Sequence, residues 1–148
     1  IKLNAAYDRE HSIEVQLPFL QYLLKDFKLV PLLIGQGIYE DVAEVLEVVW
    51  DDDETLIVVS SDLSHYLDYE SAKKIDRLTA HAIVNLNPDG VGYDQACGRV
   101  GINALLTVAT KKRLTARLID LKNSGDTSGP KDHVVGYGAF HFYQRSEV

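Results

Sequence analysis

The sequence predicts an α/β domain in which a mixed or parallel central sheet is flanked by helices. Short apolar runs of strand length occur at residues 29–34 and 56–59. Between and after them lie longer segments whose apolar residues recur at helical spacing. Strands that alternate with helices favour this architecture. The length of 148 residues, with 46% hydrophobic residues, suits one domain with a substantial core.

The predicted elements follow one another along most of the chain. Residues 12–25 read as an amphipathic helix, and because proline is tolerated best in the first turn, Pro18 favours a start near Leu17. The later predicted elements are a strand at 29–34, a helix at 40–49, a strand at 56–59, helices at 70–86 and 101–112, and strands at 116–121 and 134–142. Turn-forming residues at 87–90 end the longest helix, and a polar loop at 123–129 separates the last two strands.

Charge and cysteine content restrict the classes of partner. The net charge of −7 and the pI near 5.1 argue against a nucleic acid or an anionic membrane as partner. Cys97 is the only cysteine, so no intrachain disulfide can form, and a reducing, cytoplasmic location is expected. No apolar run is long enough to cross a bilayer. The sequence contains no methionine, even at position 1, which predicts an internal starting point in a longer protein.

The run LIVVSSDLSH at residues 56–65 carries the first candidate catalytic groups. An apolar strand stops at small polar residues and delivers Asp62 and His65 three positions apart. Loops beyond the carboxyl ends of strands are where α/β proteins place their chemistry. An aspartate beside a histidine can fix the ring tautomer, which suits a general base or a metal ligand. The alternative is a solvated loop in which Asp62 caps the next turn. A serine hydrolase is disfavoured because the G-x-S-x-G elbow is absent.

Two further groups are candidates for binding. Cys97 lies near the expected start of a helix with Arg99 close by, a setting that favours the thiolate, the form that binds metals. A buried structural cysteine is an equally good interpretation. Glu10 and His11 precede the first helix and are candidates for orienting a substrate. The alternative is a capping arrangement in which Ser12 and Glu14 satisfy free amides.

Four motifs together resemble the Memo family, most closely its prokaryotic branch called AmmeMemoRadiSam system protein B. They are EHSIEVQLPF at residues 10–19, SSDLSH at 60–65, ACGR at 96–99, and NSGD at 123–126 leading to VVGY at 134–137. The motifs occur in family order over nearly the whole chain. The resemblance implies a single Memo-like domain at residues 1–148 that is incomplete at its N-terminus and corresponds to the C-terminal part of a family member.

The resemblance also implies a fold and a site. Memo proteins are similar to class III extradiol ring-cleaving dioxygenases, which hold non-haem Fe(II) with two histidines and a carboxylate. In Memo proteins a cysteine replaces the carboxylate ligand, so Cys97 would be a metal ligand. His65 would be the acid/base with Asp62 beside it, and Glu10 and His11 would line the same pocket. The two ligand histidines of the family belong to a segment that this sequence lacks. Fe(II) is the expected metal, and a thiolate with imidazoles also suits Cu or Zn.

The implied function is metal-assisted redox or dioxygenase-type chemistry on an unknown small substrate. The alternative is a non-catalytic protein whose former active-site pocket recognises a peptide or a phosphorylated ligand. A third interpretation is service to a pathway partner, since prokaryotic members are associated with a radical SAM protein and an AMMECR-type protein. A thiolate beside iron and oxygen oxidises readily, which is the physical argument against dioxygenation.

Overall fold

A computed structural model describes residues 10–50, 54–127 and 129–144. Four α-helices and three β-strands make up the regular structure of these residues. In chain order they are α1 (Leu17–Leu23), α2 (Tyr39–Val49), β1 (His65–Leu67), α3 (Tyr69–Val84), α4 (Arg99–Lys111), β2 (Leu114–Asn123) and β3 (Val134–Gln144). Short 3-10 helices occupy Pro88–Gly90 and Ser124–Asp126. Among the described helices, none is both long and apolar enough to span a membrane.

The strands form an antiparallel sheet in the order β1-β3-β2. The long strands β2 and β3 pair from Leu114 opposite Gln144 to Asn123 opposite Gly136, with a register shift between Leu118 and Asp120. The short strand β1 places His65 opposite Val135. The prediction of mixed helix and strand is therefore confirmed, whereas no parallel pair of strands occurs in the described part of the chain.

The two apolar runs predicted as central strands differ from expectation. Residues 29–34 and 56–59 lie outside helices, and neither run forms a ladder with another strand among the described residues. A strand is defined by its hydrogen-bonded neighbour, and apolar sequence alone supplies no neighbour. The prediction of strands at these positions is wrong for this structure. The three-residue strand β1 was not predicted, because it follows the polar run at 60–64.

The helices begin and end where local chemistry requires. Helix α1 begins at Leu17 with Pro18 in its first turn, as the proline predicts. Asp68 is the N-cap of α3, and its carboxylate accepts a hydrogen bond from the Ser71 amide. Hydrogen bonding from the Ser71 side chain, together with this bond from its amide, holds the pKa of Asp68 below its usual value. Helix α2 starts at Tyr39 and α4 at Arg99, each within two residues of the predicted start.

The core surrounds α4, most of whose residues are buried, as expected for a helix that is apolar on all sides. On one side Leu63, Ile83 and Leu106 belong to a cluster between α3, α4 and the sheet. On the other side Leu46 of α2 packs near Val108. The N-terminus of this central helix therefore has a fixed position, and it carries the ACGR motif.

The turn after β2 is fixed by the buried side chain of Asn123. Its Oδ1 accepts a hydrogen bond from the Gly125 amide at 2.9 Å, and the Asp126 carboxylate accepts one from the Asn123 amide. We expect Asn123→Ala to lower the free energy of unfolding by about 1 kcal/mol, the usual value of such a cap. Asn85→Ala, which removes an exposed amide, is the matched control and is expected to cost less. Equal midpoints for the two variants in urea denaturation would contradict this role for Asn123.

Candidate functional site

The candidate site begins where the apolar run at 56–59 ends. Asp62 and His65 face each other there, with 3.6 Å between His65 Nε2 and Asp62 Oδ2. The two side chains are 33% and 48% exposed, so both are accessible from solvent. At this distance the carboxylate can orient the imidazole ring through its Nε2 side. Asp62 and His65, which the SSDLSH motif predicted to lie together, are therefore within ion-pair distance.

Cys97 approaches the same loop from the N-terminus of α4. Its backbone amide donates a hydrogen bond to the Asp62 carbonyl, and its Sγ lies 3.8 Å from that carbonyl oxygen. Ser61 Oγ is 3.5 Å from Sγ and accepts a hydrogen bond from the Gly98 amide at 2.8 Å. The Cys97 side chain is exposed. The interpretation of Cys97 as a buried structural residue is therefore wrong.

Gly98 permits this close approach. A Cβ at position 98 would lie 2.8 Å from Ser61 Cβ and 3.3 Å from the Ser60 carbonyl oxygen, closer than packed atoms normally come. Any larger residue would push the segment of Cys97 away from residues 60–62. The glycine of the ACGR motif therefore has a steric role, which is to keep the thiol beside Asp62.

The two segments enclose an open pocket of about 220 Å³. Its walls are formed by His65, Tyr93, Asp94, Ala96 and Cys97. The guanidinium of Arg99 stacks over the Tyr93 ring at 4.9 Å, which places a positive charge near the rim. An imidazole, a thiol and a carboxylate thus share one small concave surface. Such a combination suits a small polar ligand.

The backbone of β1 is distorted next to His65. Tyr66 has φ of 58°, in the left-handed region that residues other than glycine rarely adopt, and the β1–β3 register shifts between His65 and Leu67. The Tyr66 ring is 5.8 Å from the His65 ring, and its side chain is exposed. Strain of this kind is common beside functional groups.

A buried carboxylate supports the loop from below. Asp76 of α3 is 2% exposed, and its Oδ1 accepts a hydrogen bond from the Ser64 amide at 3.0 Å. Burial raises the pKa of Asp76, and the bond from Ser64 opposes that rise. On the other side the Gly136 amide donates a hydrogen bond to the Ser64 carbonyl at 2.8 Å. The residue before His65 is therefore held on two sides.

Glu10 and His11 do not lie among the residues that form the pocket. The Glu10 carboxylate accepts hydrogen bonds from the amides of His11 and Ser12, and the bond from Ser12 lowers its pKa. His11 Nδ1 lies 2.5 Å from the Glu14 carboxylate, with both side chains exposed. Amides are therefore capped here by Glu10 and not by the Ser12 and Glu14 of the alternative, and neither Glu10 nor His11 lines the pocket of His65 and Cys97.

The pocket holds two side chains that could bind the expected metal. Cys97 and His65 are donors of suitable type for iron, copper or zinc. Within residues 10–50, 54–127 and 129–144, however, no three His, Cys, Asp or Glu side chains are placed to hold a metal ion together. The described residues therefore do not form a metal site by themselves.

Sequence reasoning missed three residues of this region. Tyr93 and Asp94 were passed over because the segment before Cys97 shows no periodic pattern. Asp76 did leave a signal: it is four residues after Ala72 and four before Ala80, so it falls on the apolar face of its helix. An acidic residue on such a face needs a partner, which here is the Ser64 amide.

Ser61 should stabilise the junction between the two segments. We expect Ser61→Ala to lower the free energy of unfolding by about 1 kcal/mol, because the Gly98 amide loses its acceptor. Ser60→Ala is the matched control: Ser60 Oγ accepts a long 3.3 Å hydrogen bond from the Gln16 side chain. Thermal unfolding of both variants measures the difference. A larger loss for Ser60→Ala than for Ser61→Ala would contradict the assignment.

Comparisons with known proteins give one consistent result. A family model described as Memo-like protein matches residues 2–141. A MEMO1 family protein of Methanosarcina mazei is 42% identical over 144 residues, which cover 88% of this chain and 54% of the relative. The corresponding protein of Saccharolobus solfataricus is 40% identical, covering 90% of this chain and 51% of the relative. The MEMO1 family protein of Aquifex aeolicus is 37% identical, and the match covers 86% of this chain and 52% of the relative. The chain thus spans about half the length of these curated relatives.

Proposed function

Because this chain belongs to the Memo-like protein family, we propose that the pocket between His65 and Cys97 is the small-molecule site of a metal-dependent redox protein. One observation carries the proposal. His65 and Cys97 are 32 residues apart in the sequence, yet the imidazole of one and the thiol of the other, the only thiol of the chain, line the same pocket. A surface that served only to stabilise the fold would not need an exposed thiol beside a paired histidine.

His65 is the proposed acid/base. With Asp62 facing Nε2 and orienting the ring, Nδ1 is the nitrogen assigned to accept a proton from a bound substrate. The Asp62 side chain is 48% exposed, so it orients the His65 ring from a solvent-accessible position. Tyr93 and Asp94 supply a ring face and a carboxylate against which a small polar substrate can be oriented.

Cys97 is the proposed metal ligand, with further ligands contributed from outside the described residues. Iron is the first choice, with copper or zinc as alternatives for a thiolate and imidazole set. When bound, such a metal supplies Lewis-acid and redox chemistry to a substrate. The protein's own contribution is to keep the thiol in place through Ser61 and Gly98, and to move a proton at His65.

Metal protection of the thiol tests this proposal directly. Since Cys97 is the only cysteine, its alkylation rate under anaerobic conditions reports on one site. With the polypeptide that supplies the further ligands present, we expect Fe(II), Cu(I) or Zn(II) to slow alkylation at least tenfold, and we expect Cys97→Ala to lose the bound metal after desalting. His65→Ala should retain the metal, because His65 is assigned to proton transfer. His81→Ala, which alters an exposed histidine of α3, is the matched control.

Equal, weak metal binding by wild type and Cys97→Ala would overturn the metal assignment. The pocket would then be best explained as a recognition site for a peptide or a phosphorylated ligand. Turnover of a catechol by the Fe(II)-loaded protein, lost in His65→Ala, is the separate test of dioxygenase-type activity. Metal binding without turnover would retain Cys97 as a ligand and reject that activity.

A further inference from the structure

A second, larger pocket lies between helix α3 and strand β2, with a volume of about 470 Å³. Ala80 of α3 and Ala116 of β2 both line it, and both are buried. Because an alanine side chain ends at Cβ, neither residue fills the space between the helix and the strand. The resulting hollow has the size of pockets that hold small organic molecules.

This second pocket is separate from the one at His65 and Cys97. The two pockets share no lining residue. His65 lies on β1, whereas the second pocket lies beside β2, and these are the two outer strands in the order β1-β3-β2. A ligand in the second pocket would therefore leave the Cys97 thiol accessible.

The wall of the second pocket is largely apolar. Val84, Leu118 and Tyr143 contribute to it, and their exposed fractions are 36% to 37%. Each of these side chains thus presents apolar surface to water at the hollow. Removal of such surface from water favours the binding of a molecule with an apolar body.

Two arginines of the second pocket lack an acidic partner. Arg77 of α3 and Arg117 of β2 both line it, and both are exposed. No carboxylate among the residues that the structure describes lies within 4 Å of either guanidinium. The whole chain carries a net charge of −7, so the charge at this pocket is opposite in sign to that of the chain.

The acidic residues nearest to these arginines in the sequence have other partners. Asp76, which precedes Arg77, is buried, and its Oδ1 accepts the hydrogen bond from the Ser64 amide. Asp120, three residues after Arg117, lies 2.8 Å from Lys122 Nζ through its Oδ2. A guanidinium carries several N–H donors in a planar fork that matches a carboxylate or a phosphate. These donors are therefore available to an anion from solution.

We propose that the second pocket binds a small organic anion with an apolar body and a carboxylate or phosphate head. The body packs on the apolar wall, and Arg77 and Arg117 bind the head. Both parts are needed, because an apolar wall does not select a charge, and an ion pair at an exposed site contributes little. The proposal does not depend on the assignment of Cys97 as a metal ligand.

Calorimetric titration of this protein with hexanoate and with hexyl phosphate tests the proposal. Hexanol lacks the charge and acetate lacks the apolar chain, so we expect both to bind at least tenfold more weakly than the better hexyl anion. Arg77→Gln and Arg117→Gln should each weaken the binding of that anion at least fivefold. Arg113→Gln is the matched control, since Arg113 is exposed but does not line the pocket. Circular dichroism of the three variants should match wild type, because all three arginines are exposed.

The alkylation rate of Cys97 distinguishes the two pockets. The thiol lines the first pocket and is exposed. We expect a saturating concentration of the better hexyl anion to leave this rate unchanged, because the second pocket contains no part of the Cys97 segment.

Each outcome decides the proposal. Binding of a hexyl anion that is weakened by Arg77→Gln and Arg117→Gln but not by Arg113→Gln, with unchanged alkylation, supports it. The better of the two anions then identifies the head group. Equal affinities for hexanoate, hexyl phosphate and hexanol would overturn it, because the arginines would not select a charge. Absence of binding, or equal weakening by Arg113→Gln, would overturn it in favour of a solvated surface. Protection of Cys97 from alkylation would assign the ligand to the first pocket and would also overturn it.

Discussion

Gly136→Ala is expected to lower the free energy of unfolding by about 3 kcal/mol, at the upper end for overpacking of a core. A Cβ at position 136 would lie 2.1 Å from Asp76 Oδ2 and 2.6 Å from both Asp76 Cγ and Oδ1. The carboxylate cannot move aside freely, because Asp76 is buried and its Oδ1 holds the Ser64 amide. Gly136 is also bonded to Leu63 and Ser64 through its backbone. Urea denaturation measures the loss.

Gly37→Ala is the matched control for this substitution. A Cβ at position 37 would meet nothing within 4 Å, so the change is expected to stay within about 0.5 kcal/mol of wild type. The steric argument also predicts coupling. In the double variant Gly136→Ala/Asp76→Ala the interfering oxygens are absent, so the combined loss should be smaller than the sum of the single losses. Strict additivity would show that the contact is not the cause.

Asp76→Ala is expected to cost about 2 kcal/mol, because the buried Ser64 amide loses its acceptor. It should also reduce any activity or ligand binding that depends on His65, since Ser64 sets the position of the following residue. Asp76→Asn keeps an acceptor oxygen for the Ser64 amide and should restore most of that function. If Asn and Ala variants lose binding equally while both remain folded, Asp76 does not act by positioning this loop.

The pH dependence of stability gives an independent test of Asp76. Its pKa is raised in the folded state above the ordinary value of 3.8, so the folded state holds this proton more tightly than the unfolded state does. The resulting stability is fully present below pH 3.8 and is lost as pH rises through the raised folded pKa. Asp76→Asn should remove this loss. Unfolding midpoints measured from pH 3 to pH 7 for both proteins compare the slopes, and an unchanged slope would contradict the assignment.

Helix positions were predicted well because helical stability depends on nearby residues. The predicted segment 40–49 corresponds to Tyr39–Val49, and Pro18 correctly indicated a start at Leu17. The paired strands β2 and β3 were also predicted, since the loop between them brings two apolar runs together within the chain. The runs at 29–34 and 56–59 could not be assigned correctly, because strand pairing depends on a neighbour that their own residues do not specify.

The candidate site was predictable only in part for a similar reason. Asp62 and His65 are three residues apart, so their proximity follows from local geometry. The approach of Cys97 to Asp62 depends on the tertiary contact between Gly98 and Ser61, which no spacing in the sequence reveals. The hydrogen bonds that Glu10 accepts from the His11 and Ser12 amides are local, but the capping groups expected from the sequence were Ser12 and Glu14. The support of Ser64 by Asp76 spans 12 residues and required the fold.

The left-handed backbone at Tyr66 has a consequence for how this protein can evolve. An aromatic residue at φ of 58° costs about 1–3 kcal/mol relative to relaxed backbone, and asparagine or glycine would lower that cost. Selection for stability alone would therefore favour replacement of Tyr66 by one of these residues. The Tyr66 side chain is exposed, so burial of its ring in the core does not offset this cost. Laboratory selection for heat resistance should accordingly find position 66 early, and the variants it returns would reveal what the ring contributes beside His65.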